Sequence, residues 1–342
     1  MMSDSKSVIN VGLLAYGMSG RVFHAPFLDK HTGFNLYAVT ERNTKKAQKD
    51  YPYLISYNSV DELLNDNTIE LVVVNTPNYL HYEQAKSALL KGKHILVEKP
   101  FTANTKQAKE LFELADKQGK EIFFYQNRRW DSDFISVKEV INSRKLGKLN
   151  EIHIRYDRYR PVIGLKAFKE TPTLEACGLF YDLGPHLLDQ VISLFGKPIS
   201  YHKVSGNNRK NTQVEDYFMI QLSYPNDLNV TITASLLVVD TQPAFVLHGV
   251  EGSFVKYRAD VQEEQLLGGM KLNNPIYGIE LPNMQGILSV VDKNDNITKE
   301  IIVSKQGNYL SLFDAVYQTL VNRKIYPITR EEILIQLEIL EN

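Results

Sequence analysis

His94-Ile95-Leu96-Val97-Glu98-Lys99-Pro100 is the stretch on which the reading of the chain turns. Four residues suited to a buried strand end in an acid, a lysine and a proline. The charge pair is therefore delivered at the carboxyl end of the strand, which in an open parallel sheet is where ligands bind. Pro100 keeps Lys99 out of the helical region of backbone space. On these seven residues alone, a strand ending in solvated charges competes with a lysine presented at the lip of a sheet.

Strands and helices alternate on the amino-terminal side. Val8 to Ala15 reads as a buried strand and runs into Ala15-Tyr16-Gly17-Met18-Ser19-Gly20, a G-x-G-x-x-G pattern with alanine at the first glycine. Gly17 lets backbone amides approach a pyrophosphate, and Gly20 lets helix and strand pack closely. Pro26, in His24-Ala25-Pro26, breaks the helix that follows. Phe34 to Thr40 is the second strand and ends in Glu41-Arg42-Asn43. Glu41 stands 21 residues after Gly20, the position of the acid that binds the adenosine ribose hydroxyls, whereas Arg42 suits a 2′-phosphate. NAD and NADP both stay open, with NAD slightly preferred. Thr44 to Asp50 reads as helical. Ser59 caps a helix to Asn65 with Glu62 at the capping-box spacing. Leu71 to Val74 is the third strand and ends in Asn75-Thr76-Pro77-Asn78; the helix after it, Leu80 to Lys91, carries His81. Helix Thr102 to Gly119 and strand Glu121 to Tyr125 follow. Such alternation means a parallel sheet wound by right-handed crossovers.

After Asn127-Arg128-Arg129-Trp130 the texture changes. A helix is expected over Phe134 to Arg144 and a half-buried strand over Glu151 to Tyr159. From Glu215 onward strands dominate: Tyr217 to Tyr224, Leu228 to Val239, Ala244 to Gly249, Ser253 to Arg258, Ile287 to Val291 and Lys299 to Ile302. Their short spacing predicts an antiparallel sheet with one covered face. Helices Tyr309 to Asn322 and Arg330 to Leu340 close the chain. The expected fold is α/β plus α+β: a Rossmann parallel sheet over residues 1–126, then a domain over 127–342 built on an open-faced, mainly antiparallel sheet.

Within the second part, Tyr181-Asp182-Leu183-Gly184-Pro185-His186 places Asp182 and His186 four residues apart, on one face if the segment is helical. Pro185 is tolerated only in a first turn, so the helix is expected to begin near Asp182. The pair reads either as a base with its orienting acid or as a structural hydrogen-bonded pair.

Composition narrows the classes. The chain has 342 residues, 43% hydrophobic and 23% charged, with net charge −1. That is ordinary for a globular protein and gives no electrostatic footprint for nucleic acid or membrane. The one cysteine, Cys177, builds no disulfide framework and suits a reducing cytoplasm. Met1 to Asn10 is polar and lacks the apolar core of a signal peptide. No apolar run approaches a membrane span. No cluster of histidine and cysteine predicts a metal site.

Taken together, the Rossmann half, Thr76-Pro77-Asn78-x-x-His81, Glu98-Lys99-Pro100 and Asp182-Leu183-Gly184-Pro185-His186 resemble the Gfo/Idh/MocA family of glucose–fructose oxidoreductases and inositol dehydrogenases. The resemblance runs along almost the whole chain. His24-Ala25-Pro26, Asn127-Arg128-Arg129-Trp130-Asp131 and Tyr181 to His186 look most like the scyllo-inositol dehydrogenase branch. It implies that Lys99 serves at the active site, that His186 exchanges the proton and that Asp182 is its acidic partner. It implies a cofactor site from Ala15, Tyr16, Gly17, Met18, Ser19, Gly20, Glu41, Arg42, Asn75, Thr76, Pro77, Asn78, His81, Glu98, Lys99 and Asn127. The polyol contacts expected beside Lys99, Asp182 and His186 are Arg128, Tyr156 and Arg158, with Asp157 and Arg160 as further candidates. Departures are Ala15 for the first glycine, Ala176-Cys177-Gly178 for a glycine-rich run, and Phe168-Lys169-Glu170 where relatives often carry tryptophan and arginine.

The implied reaction is hydride transfer between a nicotinamide and a hydroxyl or keto group of a cyclitol or sugar. An imidazole's ordinary pKa of about 6.5 suits the accompanying proton exchange. Alternatives are a catalytically silent NAD(P)-binding regulator and a reductase of another keto-sugar-like compound. The open sheet predicts a homodimer or homotetramer, with Leu236, Val238 and Phe245 expected among its exposed apolar residues.

Overall fold

Six strands pair in parallel: β1 (Ile9–Leu13), β2 (Phe34–Thr40), β3 (Ile55–Tyr57), β4 (Leu71–Val74), β5 (His94–Val97) and β6 (Ile122–Phe124), in the order β3-β2-β1-β4-β5-β6. The computed structural model describes residues 8–164 and 167–341. The first seven residues of the polar start, from which the lack of a signal peptide is read, lie outside the described residues. β4 is buried at every position and β5 at its last three, as a sheet covered on both faces requires. The order reverses direction between β1 and β4, so the loops leaving these two strands diverge at one switch point. The sequence reading lacks β3, whose three residues are too few for an apolar pattern to show.

Local chemistry sets the helix ends. Ser59 Oγ accepts from the Glu62 amide at 3.2 Å and caps the helix Val60–Leu64. Asn104 does the same for Thr105–Gln118, which stops at Gly119 with φ +60°. The helical turn predicted over Thr44 to Asp50 shrinks to Ala47–Asp50. Pro26 sits in the first turn of Ala25–Lys30, where its missing N–H leaves no bond unmade.

The remaining strands form an eight-stranded sheet: β7 (Leu149–Asp157), β8 (Ser200–Gly206), β9 (Tyr217–Ser223), β10 (Asn229–Ser235), β11 (Phe245–Gly249), β12 (Gly252–Lys256), β13 (Gly286–Val291) and β14 (Ile297–Ile302). The order is β14-β13-β12-β11-β7-β10-β9-β8, antiparallel except where β7 meets β10. β8 is a second strand absent from the sequence reading; an edge strand of Lys, His and Ser carries no apolar alternation to detect. One face packs under the helix Gly184–Phe195, joining Ile152, Ile154, Phe218, Ile220, Ile232 and Leu247 to Leu187 and Val191 in one core. Leu236, just beyond β10, and Phe245, on β11, are expected to be exposed but belong to that core. The other face carries a cross-strand row of Ile301, Ile287, Val255 and Val246.

Two compact units result. The second comprises Asn127–Gln265, Asn274–Asn308 and the chain from Glu331. The first holds the described residues up to Gln126 together with Leu266–Asn273 and Tyr309–Arg330. The sequence reading gives everything after residue 126 to the second domain. The helix Leu310–Asn322 instead joins the first unit, where Phe313 stacks on Phe27 with ring centroids 5.4 Å apart. No helix among the described residues is long and apolar enough to cross a membrane.

Candidate active site

The loop after β1 and the loop after β4 are tied together by one side chain. Asn75 Oδ1 accepts from the Ala15 amide at 3.0 Å, and its Nδ2 donates to the Ala15 carbonyl at 2.8 Å. The Asn75 amide thereby supports the loop that carries Gly17 and Gly20. Ala15 can stand in place of glycine because its φ is not positive. Gly20 is obligatory, since a Cβ there would lie 2.2 Å from the Ala15 carbonyl oxygen. An added Cβ on Gly17 would meet nothing within 4 Å, so this side of the loop is open to a ligand.

Ser19 and Glu98 connect that loop to the end of β5. Ser19 Oγ donates to Glu98 Oε1 at 2.6 Å, and His24 Nε2 lies 2.9 Å from the same oxygen. His24 is fully buried and packs on Tyr125, centroids 4.3 Å apart. Burial by itself would push the Glu98 carboxyl up. The hydrogen bond and charge of His24, the Ser19 hydroxyl and the charge of Lys99 together bring it down to about 2. Glu98 is therefore a fixed anion immediately before Lys99, and both it and Ser19 are occupied within the protein. No sequence spacing announces His24 as the partner of Glu98, 74 residues away.

Beside the loop lies a cavity of about 520 Å³ lined by Ala15, Tyr16, Glu41, Arg42, Lys46 and Pro77, among others. Thr76 also lines it, with its hydroxyl bonded to Gln84 at 2.6 Å. Glu41 reaches it with little to offer. Its Oε1 accepts from the Lys46 amide at 2.8 Å, and its Oε2 from the Ala47 amide at 3.2 Å and the Ser56 hydroxyl at 3.1 Å. The carboxylate thus holds the amides at the start of the helix Ala47–Asp50 while it lines the cavity. His81 is fully buried, with Nδ1 2.7 Å from the Pro100 carbonyl and Nε2 2.9 Å from that of Thr76. Burial pushes its pKa down, and it braces the turn after β5 against the loop after β4. Met18 is exposed and Asn127 is buried. The open Gly17 face and the cavity that continues to Arg42 suit a dinucleotide.

In the second unit, Asp182 ends one short helix, Gly178–Asp182, and His186 lies in the first turn of the next, Gly184–Phe195. Leu183, at φ −111°, breaks them apart. The helix that carries His186 starts two residues after Asp182, with Pro185 in its first turn as its ring requires, so the two residues stand on consecutive helices. Asp182 forms an ion pair with Lys169. His186 is buried.

Arg128 and Tyr156, expected to contact a polyol, are occupied by acids of their own unit. Arg128 is buried and meets Asp131 at 3.0 Å, Asp260 at 2.8 Å and Glu263 at 2.5 Å. Tyr156 donates its hydroxyl to Asp260 at 2.6 Å. Burial would raise the Asp260 carboxyl, and Arg128 foremost brings it down to about 2. Asp157 pairs with Arg155 at 2.9 Å. Arg129 grips Asp189 with two bonds of 2.8 Å, the bidentate geometry of a strong pair. Asp260 and Glu263 carry no motif that would mark them in the sequence.

The chain matches two family models: "Oxidoreductase family, NAD-binding Rossmann fold" over residues 9–126, and "GFO/IDH/MocA C-terminal domain" over residues 134–255. It is 34% identical over 333 residues to scyllo-inositol 2-dehydrogenase (NADP(+)) IolW of Bacillus subtilis, covering 97% of this chain and 92% of that protein. It is 38% identical to the uncharacterized oxidoreductase YhhX of Escherichia coli, covering 98% and 95%. The crystal structure of an oxidoreductase from Bacillus cereus superposes with a TM-score of 0.90 at 34% identity, covering 98% and 95%. With both halves matched in order and relatives covered nearly end to end, the chain belongs to the Gfo/Idh/MocA family of NAD(P)-binding oxidoreductases.

Proposed function

We propose that the chain moves hydride between a nicotinamide dinucleotide and the CH–OH or keto carbon of a cyclitol or sugar, with scyllo-inositol-like polyols the leading class. One observation carries the reading: Glu98, fixed by Ser19 and His24, anchors the strand end that bears Lys99 beside the open Gly17 loop. Similarity to a protein named as a scyllo-inositol 2-dehydrogenase supports the substrate class.

The dinucleotide, when bound, supplies the hydride acceptor or donor. Lys99 donates to the substrate oxygen and offsets the charge of the developing alkoxide. His186 takes the hydroxyl proton. Asp182 acts on this chemistry from within its pair with Lys169 rather than as a lone orienting acid. For the cofactor, NADP is the better reading. Glu41, the feature that favoured NAD, is turned to the Lys46 and Ala47 amides, which leaves the cations Arg42 and Lys46 on the same cavity.

The apolar row Ile301, Ile287, Val255 and Val246 suits a second copy of the chain laid sheet to sheet, giving a dimer or tetramer; sedimentation showing only monomer at micromolar concentration would count against it. A nicotinamide cofactor and a single cysteine fit work in the cytoplasm.

The test is NADPH and NADH titration, then absorbance-monitored turnover of an inositol and sugar panel. Dinucleotide binding without turnover of any polyol or sugar would favour a silent regulator.

A further inference from the structure

Beyond Asp157 the chain stays extended along β10 and its continuation. The Arg158 amide donates to the Ser235 carbonyl at 2.8 Å, the Arg160 amide to that of Leu236 at 2.7 Å, and the Val238 amide to that of Arg158 at 3.1 Å. Alternation of side chains then puts Arg158 and Arg160 on the side of Ile154 and Tyr156, and turns Tyr159, 57% exposed, the other way.

On the inner side three guanidiniums gather on the Tyr156 ring: Arg128 at 5.0 Å from its centroid, Arg158 at 4.8 Å and Arg258 at 4.5 Å. Arg128 is answered by acids and Arg258 only in part, its Nε and Nη1 being buried without a hydrogen-bond partner. Arg128 has its three carboxylates, and Arg258 donates to the Arg155 carbonyl at 2.6 Å with Asp133 at 3.8 Å. Arg158 has only the Tyr156 hydroxyl, at 3.1 Å, whose own proton goes to Asp260. Among the described residues neither Arg158 nor Arg160 has a carboxylate within ion-pair distance. Asp182 is the acid whose field both arginines feel together with that of Glu263, and Lys169 already sits on Asp182. Burial and the charge of Arg158 push the Arg160 guanidinium below its ordinary range. Burial alone would lower the Arg158 guanidinium, and Tyr156, Glu263 and Asp182 raise it, so it stands as a half-buried cation on the same side of the strand as Arg160. The fork of a guanidinium matches the oxygen spacing of carboxylate and phosphate.

We infer that Arg158 and Arg160 bind an oxyanion, carboxylate or phosphate, carried by the sugar or cyclitol on which the enzyme acts. Within the cyclitol and sugar class proposed above, the favoured substrate is thereby one that carries an acidic group. This rests on the oxidoreductase reading above only for the word substrate; the anion site stands on its own residues.

The test uses the full chain with NADP⁺ and a matched set: D-glucose, D-glucuronate and D-glucose 6-phosphate, which differ at one carbon. Binding is read by thermal shift, and turnover by NADPH formation, in low and high salt. We expect at least one anion to stabilise the protein where glucose does not, with kcat/KM at least about tenfold above that of glucose. That excess shrinks in high salt. Arg158→Gln and Arg160→Gln each lower the anion-to-glucose ratio severalfold, while Arg155→Gln, a charge removed from the opposite face of the same strand, leaves it unchanged. Glucuronate and glucose 6-phosphate, compared with each other, tell carboxylate from phosphate. Equal binding of all three, or a ratio that Arg158→Gln does not move, overturns the site. Anion binding that Arg158→Gln abolishes, without dinucleotide reduction on any panel member, overturns the dehydrogenase reading and leaves the anion site. Turnover of neutral polyols without anion binding does the reverse.

Discussion

The carboxylate of Glu41 accepts from the amide of Lys46 at 2.8 Å, at a cavity that Arg42 and Lys46 also line. With Ala47 and Ser56 also bound, the acid contributes as a cap, and the cations at the cavity are Arg42 and Lys46. Arg42→Ala should weaken NADPH about tenfold or more, the range for losing a charge-assisted hydrogen bond, and change NADH less than about twofold. Fluorescence titration of both reduced dinucleotides checks it. Tighter binding of NADH than NADPH by the unaltered protein would sink the NADP reading.

The two loop glycines should fail differently. Gly20→Ala forces a methyl to within 2.2 Å of the Ala15 carbonyl, a backbone clash costing on the order of 1–3 kcal/mol, so melting temperature and dinucleotide binding should fall together. Gly17→Ala meets empty space. It should leave the melting temperature unchanged and weaken only dinucleotide binding, by occupying the room where the pyrophosphate approaches. A calorimetric melt paired with a binding isotherm for each variant separates the cases.

Acid stability should show two windows. His94 is held down to about 4 by burial and by the charge of Lys120, and its Nδ1 accepts from the Glu121 amide at 2.9 Å. A histidine whose folded value is depressed favours the fold while neutral. Its contribution is complete above about pH 6.5 and is lost as the pH falls toward 4. Glu98, lowered to about 2, contributes fully above about pH 4.5 and loses its share as the pH falls toward 2. Denaturation midpoints measured at intervals from pH 7 to pH 3 should slope less for His94→Gln in the upper window and for Glu98→Gln in the lower. Parallel slopes for variant and parent would refute the assignment.

Lys99→Ala should reduce kcat by about 10²–10³, the usual loss for one electrostatic donor to a developing oxyanion, with NADPH affinity changed only a fewfold. Stopped-flow turnover of the best panel substrate measures it. Activity within twofold of the parent would place the chemistry elsewhere, and the regulator reading would gain.

Much of the first unit is legible in the chain itself. Buried parallel strands require unbroken apolar runs, and Leu71 to Val74 and Ile95 to Val97 supply them. Gly20 must be glycine and Pro26 must stand in a first turn, because backbone sterics act within a few residues and so leave a local mark. β3 and β8 leave none, being respectively too short and too polar. The motifs Glu98-Lys99-Pro100 and Asp182 to His186 mark the family.

Partnerships depend on the tertiary structure alone. The sequence places an acid at Glu41 but not the direction of its carboxylate, which follows from amides five and six residues later and from Ser56 on β3. It flags Asn75 and His81 without revealing that one clamps Ala15 and the other is enclosed between two carbonyls. It offers Arg128 and Arg158 as equals, and only packing shows Arg128 neutralised by Asp131, Asp260 and Glu263 while Arg158 has a phenol. Steric rules are local and can be read along the chain. Hydrogen-bond and charge pairing is settled by whichever distant group folding brings within 3 Å, and no spacing in the sequence encodes that.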